Sequence, residues 1–425
     1  MDPPPPPPFE RSLGRNAQIA YELRNYFNYM LNVIIAIDNY SRGGIPRALK
    51  NLLDLHTHQD IQIDVFCGDP TGIFKNTLKN CRELPPDKLW FALTTNWRSL
   101  TGIRCLLVLM LRCARHLLKK TLGFDLLKLA STRISRYLDR NRYDVAIAFS
   151  EDYPAQWVAA THIPRKIVWI HNDYDWPVCR GYEITDTDFG DFQSIVCVSN
   201  AAQKAFCRIF PEHRKRSVVI PNATSVDDVL HRANEKIPMN SAFDTVLGVF
   251  KIVSIGRICY QKQFDAIPSI ARQLLDAGYH GFKWYIIGSG SKVETEYLVN
   301  KIQEHNVGQY IILLGEQSNP YPYLKHADLL VLTSRWESYG IVVDEAKILG
   351  IPSLITNYGA ATEVLPEEYG QIAPITDFPY RLMRMLSHPE ILMKIRKNLA
   401  DFTIRNEQIM NLVYDLVNKN LCVNK

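Results

Sequence analysis

The chain has no run of apolar residues long enough to cross a bilayer. About 18 are needed, and the densest stretch, "CLLVLML" at 105–111, has seven. Nor does it open on a basic segment with an apolar core. "MDPPPPPPFERS" is a proline run with acidic flanks, which predicts an extended, solvated start and argues against a secretory leader. Paired cysteines are missing too. The nine present are an odd number without a C-x-x-C pair, which speaks against a disulfide framework or a zinc site and for reduced thiols in a cytosol. A strong charge imbalance is also lacking: +5 is too little to point to nucleic acid, and no nucleic-acid partner is expected. These absences leave a cytoplasmic protein, soluble or peripheral on the cytoplasmic membrane. Its 47% hydrophobic content over 425 residues is ample for two cores.

Short apolar, β-branched runs recur between amphipathic stretches. The first series is "NVIIAI", "IQIDVFC", "VAIAFS", "KIVWI", "SIVCVS" and "SVVIP"; the second is "KIVSIG", "WYIIGSG", "YIILLG", "LLVLTS" and "PSLIT". Continuous apolar strands alternating with helices predict parallel sheets covered on both faces. A polar stretch at 233–244 separates the series. The expected fold is therefore α/β, two tandem doubly wound Rossmann-like domains facing across a cleft, with the ligand where the carboxyl ends of both sheets meet. Residues 1–29 read as a proline-rich, flexible N-terminal extension, 30–235 as the first domain and 245–400 as the second. Residues 401–425 read as a C-terminal helix expected to pack back on the first domain. Met30 stands directly before the first strand, and the folded part is expected to begin there.

"SRWESYGIVVDEAKILG", residues 334–350, places Glu337 and Glu345 eight positions apart. On one helix they would stand about 12 Å apart at ~1.5 Å per residue, too far to share one proton-transfer site. The stretch reads instead as a turn, "RWESYG", followed by a helix, so each glutamate could face a ligand at the carboxyl end of the sheet. After the first strand, "DNYSRGGIPRALKNLL" offers Gly43 and Gly44. They permit a tight turn into a helix whose free N–H groups suit a phosphate, although an ordinary βα loop also needs glycine. "IVSIGRICYQKQFDAI" puts Gly256, Arg257 and Lys262 at the corresponding place in the second series. An arginine fork and a lysine charge there suit a diphosphate; the alternative is two solvated surface charges.

"WYIIGSGSK" has Gly288 and Gly290 but no third glycine and no closing acid, a partial dinucleotide fingerprint better explained as a close turn. His171 follows the strand "KIVWI", which would line the cleft, with a purely structural histidine as the alternative. Asp173–Asp175 and Asp186–Asp188 form D-x-D patterns, but neither directly follows a clean strand, and no metal site is assigned to them. The segment 97–123 holds six Lys or Arg and no acid around an aliphatic centre. An interfacial helix lying on anionic lipid and a core helix with a basic outer face both fit it.

In combination these motifs resemble the retaining glycosyltransferases of family 4 (glycosyl transferases group 1), from about Met30 to the end of the chain. The features occur in order: the Gly43–Gly44 loop, the strand ending at His171, "SIGRICYQK", Glu337 and Glu345, and "GIPSLITNYGAATEVL" with Gly359 and Glu363. The resemblance implies the two-domain GT-B fold. It also implies transfer of a sugar from a nucleotide-diphosphate sugar to a hydroxyl of a glycan or lipid-linked acceptor, with retention of configuration, in surface polysaccharide or glycolipid synthesis. Residue by residue, it implies that Glu345 takes the ribose hydroxyls and Glu337 the hydroxyls of the donor sugar. Arg257 and Lys262 would neutralise the diphosphate, helped by amides near Gly44 and along Ser338, Tyr339 and Gly340. His171 would lie beside the transferred sugar, and Gly256 and Gly288 would belong to the donor site.

No cofactor and no metal are expected in this reading, because the leaving diphosphate needs charge stabilisation, which fixed cations and amides supply. Two positions depart from the pattern: Gln263, where glycine often follows the lysine, and Pro46, where an acidic residue is common. The rival readings are a nucleotide-sugar epimerase of the same fold, a tandem dinucleotide-binding oxidoreductase, and a non-catalytic sugar-binding scaffold. Arg257, Lys262, Glu337 and Glu345 are all present, which favours an active enzyme.

Overall fold

The computed structural model describes residues 30–41, 43–95, 103–175, 189–239, 241–243 and 248–418, with the backbone alone for 103–105. The proline-rich extension 1–29, Asp186–Asp188, residues 97–102 of the basic segment and residues beyond 418 lie outside the described residues.

The two series of apolar runs form two sheets in which every pairing is parallel. The seven-stranded sheet comprises β1 (Leu31–Asn39), β2 (Ile61–Asp69), β3 (Arg82–Leu84), β4 (Val145–Ala148), β5 (Arg165–Ile170), β6 (Ser194–Cys197) and β7 (Ser217–Val219), in spatial order β3-β2-β1-β4-β5-β6-β7. The six-stranded sheet comprises β8 (Phe250–Ile255), β9 (Phe282–Ile287), β10 (Ile311–Gly315), β11 (Leu329–Leu332), β12 (Ser353–Thr356) and β13 (Gly370–Ala373), in order β10-β9-β8-β11-β12-β13. β3 and β13 were not among the expected runs. Both are edge strands of three or four residues, paired on one side only, so they need no continuous apolar sequence.

Alternate residues of the second sheet feed two cores, which is why its strands are apolar at nearly every position. Ile252, Trp284 and Val331 pack on one face, and Val253, Tyr285 and Leu330 on the other. The first sheet has one continuous core, and the helix Asn406–Asn418 contributes Met410, Val413, Tyr414 and Val417 to it. Two polar anchors fix that helix. His56 Nδ1 lies 3.2 Å from the Tyr414 hydroxyl. Buried Arg165 donates to the carbonyls of Leu416 and, at 3.2 Å, Val417 near the helix's end. Burial lowers the Arg165 pKa to about 10.

Both strand orders reverse direction once, between β1 and β4 and between β8 and β11. At such a switch point the loops leaving neighbouring strands part to opposite faces and open a crevice at the carboxyl end. The loops after β1, β4, β8 and β11 carry Gly43–Gly44, Glu151, Arg257–Lys262 and Ser334–Gly340.

Candidate functional site

On the second domain's side, the β8 and β11 loops lie along each other. Arg335 N donates to Gln261 O at 2.8 Å, Gln261 Nε2 to Trp336 O at 3.0 Å, and Thr333 Oγ1 to Lys262 O at 2.8 Å. These bonds bring Lys262 onto Glu337, whose Oε1 accepts both the Lys262 ammonium and, at 2.7 Å, the Ser334 hydroxyl. Glu337 is 8% exposed, so its charge is held almost wholly by these partners. The lysine stem runs beside Gly256, where an added Cβ would meet Lys262 Cε at 3.0 Å. Gly288 packs on the Gly256 carbonyl so closely that a Cβ would stand 1.8 Å from the oxygen; its observed contact is this close turn. Arg257 is exposed at the same loop. Gln263, which the sequence reading marks as a departure from a common glycine, takes the left-handed conformation, φ 53°.

Gly340, at φ 97°, precedes the helix Ile341–Ile348, and an added Cβ would lie 2.8 Å from the Tyr358 hydroxyl. Tyr339 turns its hydroxyl to Asp344 at 2.9 Å.

On the first domain's side, Gly43 and Gly44 lead into the helix Gly44–Asp54, and a side-chain carbon at either would meet nothing within 4 Å. His171 is 8% exposed, with its ring 5.0 Å from that of Phe149. Its Nε2 is buried without a hydrogen-bond partner among the described residues. Burial lowers its pKa to about 3, so the ring is neutral near pH 7. The backbone that carries it is clamped by Glu151, which accepts from His171 N at 3.1 Å and Asn172 N at 2.7 Å. Burial, and then the charge of Asp152, raise the Glu151 pKa to about 7. Burial also raises Asp38 and Asp152 above the usual carboxylate range. Asp175 pairs with Arg208 at 2.5 Å, and Asp173 accepts from the Asp175 backbone at 3.0 Å, so this D-x-D closes a turn and pairs a cation.

The two sides touch. The Ser338 hydroxyl donates to the His171 carbonyl, and the Ser199 hydroxyl donates to the Ser338 carbonyl at 2.7 Å. Glu363 reaches the start of the helix Asn200–Ile209, accepting from Asn200 N, Asn200 Nδ2 and Ala201 N, each at 2.8 Å. Glu345 stands apart from the Lys262–Glu337 pair. It is 6% exposed, takes the Tyr321 hydroxyl at 2.6 Å, and lies 3.9 Å from Arg47 Nε of the first domain. Burial raises its pKa, against the pull of Arg47. The Arg47 guanidinium sits 5.1 Å from the Phe74 ring and 5.3 Å from that of Tyr321. The expected pair of ligand-holding glutamates thus occupies two distinct neighbourhoods.

Sequence reasoning missed Glu151, Arg47 and Tyr321. Glu151 had a usable signal, being the first charge after a switch-point strand. Arg47 had none, since its partners Asp228, Tyr321 and Glu345 are far away in the chain.

Residues 243–399 match the family model of Glycosyl transferases group 1. Among curated proteins, an uncharacterized glycosyltransferase of Methanocaldococcus jannaschii is 29% identical over 197 residues, covering 45% of this chain and 47% of that one. The UDP-Gal:alpha-D-GlcNAc-diphosphoundecaprenol alpha-1,3-galactosyltransferase of Escherichia coli is 22% identical over 236 residues, covering 52% and 60%. The chain thus spans about half the length of the curated relatives it matches. Among solved structures, Anabaena HepE in complex with UDP and glucose superposes with a TM-score of 0.65 at 13% identity, covering 92% of this chain and all of that one. The architecture is the expected GT-B fold, two Rossmann-like domains face to face.

Proposed function

We propose that this protein transfers a sugar from a nucleotide-diphosphate donor to a hydroxyl of a glycan or lipid-linked acceptor, with retention of configuration. The observation that carries the proposal is the Lys262–Glu337 pair, set at the second domain's switch point beside Ser338, which touches the His171 backbone across the cleft. In this reading Lys262, the exposed Arg257 and the amides at the start of the helix Ile341–Ile348 receive the diphosphate and stabilise the charge it gains as the glycosidic bond breaks. Glu337 accepts hydroxyls of the donor sugar while holding the lysine in place. Neutral His171 lines the sugar's position without adding charge. Glu345 receives the ribose, with Tyr321 and Arg47 fixing its carboxylate. The leaving phosphate oxygen accepts the acceptor's proton on the face from which it departs, which retains the configuration. The cations are supplied by side chains, so turnover in EDTA is expected.

The relatives support the substrate class: HepE was crystallised with UDP and glucose, and the E. coli relative is named for a UDP-sugar donor and a lipid-diphosphate glycan acceptor. The test is product analysis. The full chain is incubated with nucleotide sugars and free or lipid-diphosphate-linked glycans, and the anomeric proton of the product is read by NMR. A retained anomer, formed in EDTA and lost in Lys262→Ala, supports the proposal. An inverted anomer, or conversion of the nucleotide sugar without an acceptor, contradicts it.

A further inference from the structure

The helix Ile103–Leu122 packs on the helices Lys88–Thr94 and Leu126–Arg140 of the first domain and is not used by the chemistry above. Leu106, Leu107, Met110 and Leu117 on it are 57–61% exposed. At 3.6 residues per turn these four fall within about 100° of arc, a continuous apolar stripe facing away from the protein. Leu122 and Phe124, 74% and 47% exposed, extend the apolar surface past its end. Scattered exposed leucines are ordinary, but a continuous exposed stripe marks a contact surface.

The opposite side of the same helix is basic. There a groove of about 500 Å³ is lined by Leu93, Thr94, Arg112, Arg115, His116 and Lys119. Arg112 donates one Nη to the Thr95 carbonyl, while its Nε is buried without a partner among the described residues. Lys119 pairs with Asp125 at 2.8 Å, and Lys120 is exposed. No acid occurs anywhere in 97–123.

We infer that this helix docks the protein onto a bilayer containing anionic lipid. An interfacial helix sinks its apolar face about 5–10 Å into the boundary between headgroups and acyl chains. With a diameter of about 10–12 Å, its far side then sits at the level of the lipid phosphates. The stripe and the groove occupy those two levels. The segment's excess of positive charge, which the single Lys119–Asp125 pair does not cancel, selects anionic lipid over zwitterionic lipid, since each Lys or Arg near such a surface adds attraction. The fold also turns this corner toward the cleft. The helix Leu126–Arg140 leads into the amino end of β4, so its first turn, and the end of Ile103–Leu122 joined to it through 123–125, lie on the carboxyl side of the sheet. The docking does not depend on the sugar-transfer reading.

The test is flotation of the full chain with phosphatidylglycerol vesicles and with phosphatidylcholine vesicles, alongside light scattering and binding of UDP. The wild type is expected to float with phosphatidylglycerol only. Leu107→Glu with Met110→Glu, and separately Arg115→Ala with Lys119→Ala, are expected to lower that binding by roughly tenfold or more, with the thermal midpoint and UDP binding unchanged. Absence of flotation on phosphatidylglycerol overturns the inference, as does equal flotation of wild type and both variants. So does a dimer, split by the Leu107/Met110 variant, in a chain that never floats. A chain that floats but binds no nucleotide would leave this inference standing and overturn the sugar-transfer proposal instead.

Discussion

Lys262 and Glu337 neutralise each other at the base of the cleft, where both are nearly enclosed by protein. Removing the lysine leaves a buried carboxylate with Ser334 as its remaining partner and takes one of two cations from the diphosphate position. Lys262→Ala is therefore expected to lower kcat of the proposed reaction by about a hundredfold or more, read in a nucleotide-release assay; an unchanged kcat would remove Lys262 from the mechanism. One residue further on, Gln263 holds a left-handed backbone that strains a side chain. Gln263→Gly is expected to raise stability by about 1 kcal/mol in urea melts.

Two neighbours titrate in opposite senses. Burial raises Glu151 from 4.5 to about 7, so between those values the unfolded chain loses its proton first and stability falls as pH rises. Burial lowers His171 from 6.5 to about 3, so stability is fully present above 6.5 and is lost as pH falls toward 3. Glu151→Gln removes the first effect. The stability of wild type relative to this variant is expected to fall by up to about 3 kcal/mol between pH 4.5 and about 7. A pH-independent difference would refute the assignment.

At the scale of elements, the helix Asn200–Ile209 begins with two caps, one from each domain. Ser199 accepts from Ala202 N at 3.0 Å within the first domain, and Glu363 covers Asn200 and Ala201 from the second. A carboxylate at a helix N-terminus contributes about 1 kcal/mol. Here that contribution holds the domains together rather than the helix alone. Glu363→Ala is expected to widen the interdomain angle, seen as a larger radius of gyration in X-ray scattering, with little change in either domain's secondary structure. An unchanged radius would mean that the Ser338 contacts suffice.

Elements of this kind mark the limit of sequence reading. β1, β5, β8 and β11 were legible because a strand buried on both faces must be apolar throughout. The glycine turns and cations after them were legible because a switch-point loop needs those residue types. β3 and β13, paired on one side, carry no such signature. Glu363 could be quoted as part of a motif, but its partners Asn200 and Ala201 come from a different domain. The Arg47–Tyr321–Glu345 contact is written nowhere in local pattern, because it exists only once the two sheets face each other.

For the whole molecule, the helix Asn406–Asn418 ties the chain's last described segment to the first sheet, beyond the second domain. Arg165 meets the end of that helix, where a cation complements the free carbonyls. Arg165→Ala is expected to destabilise the first domain by about 2 kcal/mol, measured by urea unfolding, while leaving nucleotide binding at the second domain in place. The measurement that tests the central claim most directly is calorimetric titration of the full chain, in EDTA, with UDP-, GDP-, ADP- and CMP-sugars. One nucleotide sugar is expected to bind, and Arg257→Ala and Lys262→Ala are each expected to abolish the heat. If none of them binds, the cleft is not a nucleotide-sugar site, and the GT-B fold here serves a different purpose.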